Sequence, residues 1–273
     1  MKVKNSREYV DLAKYRMIAL VYALSGTGKT MWIGTCPPEK TGIAACETGV
    51  GKGVLTIAHR GFDVCEPKNL SDLQEVCSGK VFPDKEIIVI DSLTAMVRTF
   101  VKDAALQIPR TNGESAKRKA GVPELDDYGT MGEFTRRTLN LLFQANEGKH
   151  IIVTALERYD KVGPDDPPGT ESRIGPDLPG SMFMAAPAMF DLVLRMKTRS
   201  LLRDPNDAKS RYSQRYFITD QMPGMIARCR PGMGTKNFLD LEEKFVLSED
   251  MANSVGGFPY LLNKIKRGYG EGK

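Results

Sequence analysis

Apolar residues in this chain gather in short runs of strand length, separated by polar stretches that carry Gly and Pro. Residues 18–22 (IALVY), 42–46 (GIAAC), 87–90 (IIVI), 150–155 (HIIVTA) and 190–196 (FDLVLRM) are such runs, and 62–65 is a shorter one before Pro67. Apolar runs without alternation predict strands covered on both faces of a parallel sheet. Stretches of helical character lie between them. Residues 30–36 form a short one stopped by Pro37 and Pro38, and Ser71-Asp72-Leu73-Gln74, of capping-box form, starts another that runs to about Cys77. Residues 93–107 predict a third helix. Residues 128–146 predict the longest, with Met131, Phe134, Leu139, Leu142 and Phe143 as its apolar stripe and Gly148 beyond its end. Alternating strands and helices predict an α/β protein, with a mainly parallel twisted sheet flanked by helices.

Two segments interrupt the alternation. Residues 109–127 mix Gly, Pro and charge, and 159–181 are rich in Pro. Loops this long inside a compact domain are functional or disordered. Farther on, residues 216–219 and 225–230 flank Asp220-Gln221-Met222-Pro223-Gly224, which predicts an antiparallel C-terminal hairpin closing the sheet. No internal repeat or linker divides the chain, so residues 1–234 are expected to form one core, and 235–273 a tail packing on or extending from it.

The first strand runs directly into Ala23-Leu24-Ser25-Gly26-Thr27-Gly28-Lys29-Thr30, the phosphate-loop pattern with Ala in place of its first Gly. Gly26 and Gly28 permit the sharp turn that brings backbone N–H groups onto phosphate oxygens, and the helix beginning near Met31 adds its N-terminal dipole. In that pattern Lys29 reaches the β- and γ-phosphates and the Thr30 hydroxyl binds Mg²⁺. The run at 87–90 ends in Asp91, 62 residues after Lys29, as a strand carrying a second Mg²⁺-holding acid would. Glu47 follows the strand at 42–46. It is placed either as a general base near a γ-phosphate or as a surface residue opening a turn. Glu157 and Arg158 follow the strand at 150–155, at the edge where α/β sheets bind ligands.

Composition narrows the class further. At 41% hydrophobic and 27% charged residues the chain is an ordinary globular one, and a net charge of +5 permits a nucleic-acid partner without requiring it. The five cysteines have no C-x-x-C spacing and there are two histidines, which leaves little for a metal cluster and points to reduced thiols in the cytosol. No apolar run approaches membrane length, and the polar N-terminus does not read as a signal peptide. Lys117, Arg118 and Lys119 form a basic cluster in the first long loop, either solvated or facing a polyanion.

The ordered set ALSGTGKT, AACETG, IIVIDSLTAM, HIIVTALER, FDLVLRM and ITDQMPGMIARCR resembles the RecA-like P-loop ATPases. Within them it is most similar to the compact phage-type recombinase and single-strand-annealing ATPases, over roughly residues 15–232. The resemblance implies ATP and Mg²⁺ as cofactors, bound by Ala23, Ser25, Gly26, Thr27, Gly28, Lys29, Thr30, Met31 and Asp91, with Glu47 activating the attacking water. It implies that Glu157 lies near a γ-phosphate sensor position, although ALER departs from the usual pattern there. Arg228 and Arg230 match paired cations that reach a neighbouring subunit's γ-phosphate, so ATP would sit at the interface of a homo-oligomer. Residues 109–127 and 159–181 match two loops facing single-stranded DNA, with Arg110, Lys117, Arg118, Lys119 and Arg173 as phosphate contacts. The implied activity is a DNA-stimulated ATPase that promotes annealing or strand exchange in phage recombination, in the host cytoplasm, with a single-strand-binding or replication protein as further partner. The alternative is a RecA-fold ATPase acting on a protein such as a replicative helicase.

Overall fold

The computed structural model describes residues 15–47, 53–108, 121–161, 172–202, 211–220, 224–230, 239–240 and 242–271. Its centre is a ten-stranded sheet. β1 (Ile18–Ala23), β2 (Thr41–Ala45), β3 (Asp63–Cys65), β4 (Ile87–Asp91), β5 (His150–Asp160) and β7 (Leu192–Leu202) run parallel in the order β7-β1-β5-β4-β2-β3. The apolar runs form these strands because both faces of the sheet are covered. Successive residues sort strictly by face: Leu20, Tyr22, Ile88, Ile90, Ile151 and Val153 pack on one side, and Ala19, Val21, Ile87, Val89 and Ile152 on the other.

The first face is covered by α2 (Leu70–Cys77), by α3 (Leu93–Met96) continuing through a π turn at Val97–Val101 into α4 (Lys102–Leu106), by α5 (Leu125–Ala145) and by the short α6 (Met182–Ala185). The second is covered by α1 (Lys29–Ile33), the 3₁₀ turns at Gly53–Arg60 and the C-terminal α7 (Phe258–Glu271). Trp32 joins α1 to α7: its indole N–H donates to the Gly256 carbonyl at 2.9 Å, and its ring meets Phe217 and Phe258 edge-on. One turn on, the Thr35 hydroxyl accepts the Phe258 N–H at 2.8 Å. No disulfide joins the cysteines among the described residues; Cys36, Cys46, Cys77 and Cys229 are buried and Cys65 is half-buried. Among the described residues no helix is long and apolar enough to cross a membrane.

The mainly parallel sheet, flanking helices and antiparallel C-terminal strands match the sequence reading, with four local differences. α2 starts at Leu70, because Asn69 accepts the Asp72 N–H at 2.9 Å and caps the helix two residues before Ser71. α5 starts at Leu125, where Glu124 and Asp127 close a capping box inside what reads as loop. β5 continues to Asp160, and β6 (Arg173–Pro176) pairs antiparallel with it from Glu157↔Pro176 to Asp160↔Arg173, so much of the described part of the Pro-rich segment is a ribbon.

The expected hairpin between 216–219 and 225–230 does not form. β8 (Arg211–Ile218) and β9 (Arg228–Cys229) both pair with β7, one beyond the other along the same edge. The C-terminal hairpin is instead β7 with β8, and β10 (Glu242–Phe245) adds an outer antiparallel strand. The apolar ends of this pair, at 192–196 and 216–218, show in the sequence, while the polar and basic residues at 197–200 and 211–215 hide the rest of both strands from an apolar-run reading.

Candidate functional site

β1, β2, β4 and β5 end or pass at one edge of the sheet, and their ends carry the polar groups. After Ala23 the chain turns through Ser25 and Gly26, with Gly26 at φ 74° and Gly28 at φ 111°, left-handed conformations that only Gly adopts without strain. Gly28 is the N-cap of α1, and no side chain caps that helix. Its first amides therefore face a loop that supplies no side-chain acceptor. Lys29 is buried and folds back so that Nζ donates to the carbonyls of Ala23 at 3.1 Å and Leu24 at 3.2 Å. Burial holds the Lys29 pKa below its ordinary value, against the opposing pull of Asp91, Glu47 and Glu157.

Asp91 ends β4, buried, and accepts hydrogen bonds from two hydroxyls: Thr30 at 3.2 Å on one oxygen and Thr154 on the other. Burial pushes its carboxyl above the usual range, while the Thr154 bond and, more weakly, Thr30 and Lys29 pull it back down. Glu47, one residue beyond Cys46 at the end of β2, accepts the Gly53 N–H at 3.0 Å. A methyl group at Gly53 would lie 2.7 Å from Thr30 Oγ1 and 3.6 Å from Glu47 Oε2, so Thr30 and Glu47 face each other across that backbone. The P-loop, Asp91 and Glu47, drawn from separate stretches of the chain, thus share one corner of the sheet edge.

Glu157 forms a bidentate ion pair with Arg195 of β7, both contacts 2.8 Å, each side chain 9% exposed. Burial opposes the Arg195 charge, but its bonds to Glu157 outweigh burial and raise its pKa. The Tyr22 phenol beside this pair is raised by burial, and its O–H donates to the Ile226 carbonyl at 2.5 Å.

Arg215 of β8 has no signal in the sequence, yet its Nε donates to the Thr27 carbonyl of the phosphate loop at 2.8 Å. A Cβ on Gly28 would stand 2.7 Å from that Nε, so a side chain there, already strained by the φ of 111°, would also push the Arg215 guanidinium aside. Thr154 has a faint signal, as the lone hydroxyl inside HIIVTA.

Arg228 and Arg230 converge on the Ala188 carbonyl at 3.3 and 2.7 Å, and Arg230 also pairs with Asp191 at 3.3 Å. Arg228 sits opposite Val193, and the Arg230 N–H reaches the Asp191 carbonyl, level with the start of β1. They lie at the opposite end of β1 from their own phosphate loop. Arg173 is exposed at the end of the β5–β6 ribbon, opposite Asp160. Arg110, Lys117, Arg118 and Lys119 lie outside the described residues.

A family model described as AAA domain matches residues 15–230, most of the chain and all of the sheet edge just described. The chain belongs to the AAA-domain family. No curated protein matches it. Among solved structures it is similar to a KaiC-like protein, PH0186, of the hyperthermophilic archaeon Pyrococcus horikoshii OT3, with 15% identity and a TM-score of 0.42 over 87% of each chain.

In this AAA domain β5 separates the P-loop strand from the Asp91 strand, so the loop and the acid face each other across one intervening strand. The donor set fits a nucleoside triphosphate with a divalent cation. Uncapped α1 amides and a buried lysine suit anionic phosphates, and the Thr30 hydroxyl and Asp91 carboxylate, already in mutual contact, are oxygen donors of the kind Mg²⁺ takes.

Proposed function

We propose that this AAA domain is a Mg²⁺-dependent ATPase that binds single-stranded DNA, is stimulated by it, and promotes annealing or strand exchange as a homo-oligomer. The convergence of Thr30, Asp91 and Glu47 around the phosphate loop carries the reading, since it joins a cation-binding pair to a carboxylate held by a backbone N–H and, among the described residues, by no salt bridge. Bound Mg²⁺ supplies charge neutralisation on the phosphates during transfer.

The residues of this chain do the rest. Gly26 and Gly28 open the loop to the phosphates, and Lys29 exchanges its two carbonyl partners for phosphate oxygens. Thr154 holds the Asp91 carboxylate toward Thr30. The Gly53 N–H fixes Glu47, which orients the attacking water and takes its proton. Arg228 and Arg230 act on a neighbouring subunit's γ-phosphate, a reading supported by their distance from their own loop.

Steady-state ATP hydrolysis with and without a mixed-sequence single-stranded oligonucleotide, at low and moderate salt, tests the proposal. Stimulation that fades with salt is expected for phosphate contacts. Hydrolysis indifferent to DNA at both salts would overturn the DNA reading and leave the ATPase.

A further inference from the structure

Beyond the last β1 pairing at Tyr22↔Arg195, β7 and β8 run on together past the nucleotide edge of the sheet as a ribbon, flanked by β10 as far as Phe245↔Arg215 and two-stranded beyond it. The described part of this ribbon from Lys197 onward carries four basic residues, Lys197, Arg199, Arg211 and Arg215, and no acid. Strand alternation divides them between two faces. Lys197, Arg199 and Leu201 pair with Tyr216, Gln214 and Tyr212. There Arg199 is already engaged: it stacks on Tyr216, binds Gln214 and pairs with Glu242 of β10 at 2.9 Å.

The other face carries Thr198 opposite Arg215, Ser200 opposite Ser213 and Leu202 opposite Arg211. All of these except Arg215 are exposed, and Arg215 is half-buried against the phosphate loop. Among the described residues no carboxylate pairs with Arg211 or Arg215, and the one hydrogen bond of Arg215 uses Nε alone. Its two terminal nitrogens keep their donors. This face therefore presents two uncompensated guanidinium groups about 14 Å apart along one strand, with three hydroxyls between and beside them. Guanidinium and hydroxyl donors without acids or apolar pockets suit a repeating phosphate backbone. They do not suit a peptide, which would need hydrophobic anchors as well.

We propose that this face of the β7–β8 ribbon, through Arg211, Arg215, Thr198, Ser200 and Ser213, binds the phosphate backbone of single-stranded nucleic acid, and that Arg215 transmits the contact to the phosphate loop through Thr27. The inference rests on the single-strand-binding reading above and assigns it a surface distinct from the loops at 109–127 and 159–181. The coupling is mechanical and short. One guanidinium touches the loop backbone with Nε while its far end meets the strand, so oligonucleotide and nucleotide each bias the same side chain.

The test is fluorescence anisotropy of a labelled oligothymidylate across a salt series, with the full chain as wild type, Arg211→Glu, and Arg136→Glu on the exposed face of α5 as a charge-matched control. Arg211→Glu is expected to weaken binding about tenfold at low salt and to flatten the salt slope by about 0.7 for each phosphate the variant no longer neutralises, while Arg136→Glu follows wild type. Arg215→Lys, which keeps the charge but cannot reproduce the Nε hydrogen bond, is expected to bind the oligonucleotide and lose its stimulation of ATP hydrolysis. Wild-type binding with Arg211→Glu unchanged would overturn the ribbon surface and leave the single-strand reading standing. No wild-type binding at low salt would overturn both. Full stimulation in Arg215→Lys would overturn the coupling.

Discussion

Glu47 and Asp91 are both carboxylates at strand ends on the same edge, yet their surroundings give them different work. Asp91 is enclosed, held by two hydroxyls, and burial pushes its carboxyl up, so it is suited to giving its charge to a cation. Glu47 is tied only to a backbone N–H and faces Thr30 across the loop. Glu47→Gln is expected to lower ATP turnover by roughly 10²- to 10⁴-fold with nucleotide affinity retained, read by steady-state hydrolysis beside a fluorescent-nucleotide titration. Equal turnover in the variant would remove Glu47 from the chemistry. Glu157 stands in a third setting, saturated by Arg195. Arg195→Met leaves that carboxylate buried without its partner and is expected to cost about 3 kcal/mol in urea unfolding, much of it recovered when Glu157 is replaced by Leu as well. An uncorrected loss in the double variant would mean that the pair does more than neutralise itself.

Elements are legible where their signal is local. The phosphate loop and the strands at β1, β4 and β5 each show themselves within about ten contiguous residues, because an apolar run and a Gly-rich turn need no knowledge of what lies across the sheet. The start of α5 is not legible in that way, because Glu124 and Asp127 cap as a carboxylate pair, and acidic residues after a Pro-bearing stretch read equally well as loop. Asp127→Ala is expected to cost about 1 kcal/mol, seen as a lower midpoint in chemical unfolding. Arg215 and Arg195 give no local signal at all. Each acts on a partner far away in sequence, and strand register alone determines that meeting. A one-residue slip of β8 on β7 would turn Arg215 to the other face and leave the Thr27 carbonyl without it.

At the scale of the molecule, the residue leading into β1 and the C-terminal helix meet at the start of the central strand β5. His150 opens β5 beside α7: its Nδ1 accepts the Met17 N–H at 2.9 Å, and its ring meets Phe258. Burial, with Arg16 and Lys266 nearby and only Glu86 opposing, lowers its pKa from 6.5 to about 4. The folded protein therefore binds fewer protons than the unfolded chain between those values. The His150 contribution is complete above pH 6.5 and is lost as pH falls toward 4, up to about 3 kcal/mol in all. Unfolding free energy measured across that window should fall with acid in the wild type and fall less in His150→Asn. Equal slopes would place the acid sensitivity elsewhere.

The contact of Trp32 with Gly256 and Phe258 has a practical consequence. This is the only tryptophan in the chain, three residues from Lys29, and the C-terminal segment seals it from solvent. Its ultraviolet emission is thus a built-in gauge of whether α7 is seated behind the nucleotide loop. A shift to longer wavelength in mild denaturant, before the far-ultraviolet circular dichroism of the core changes, would time the lifting of that cover without any added label.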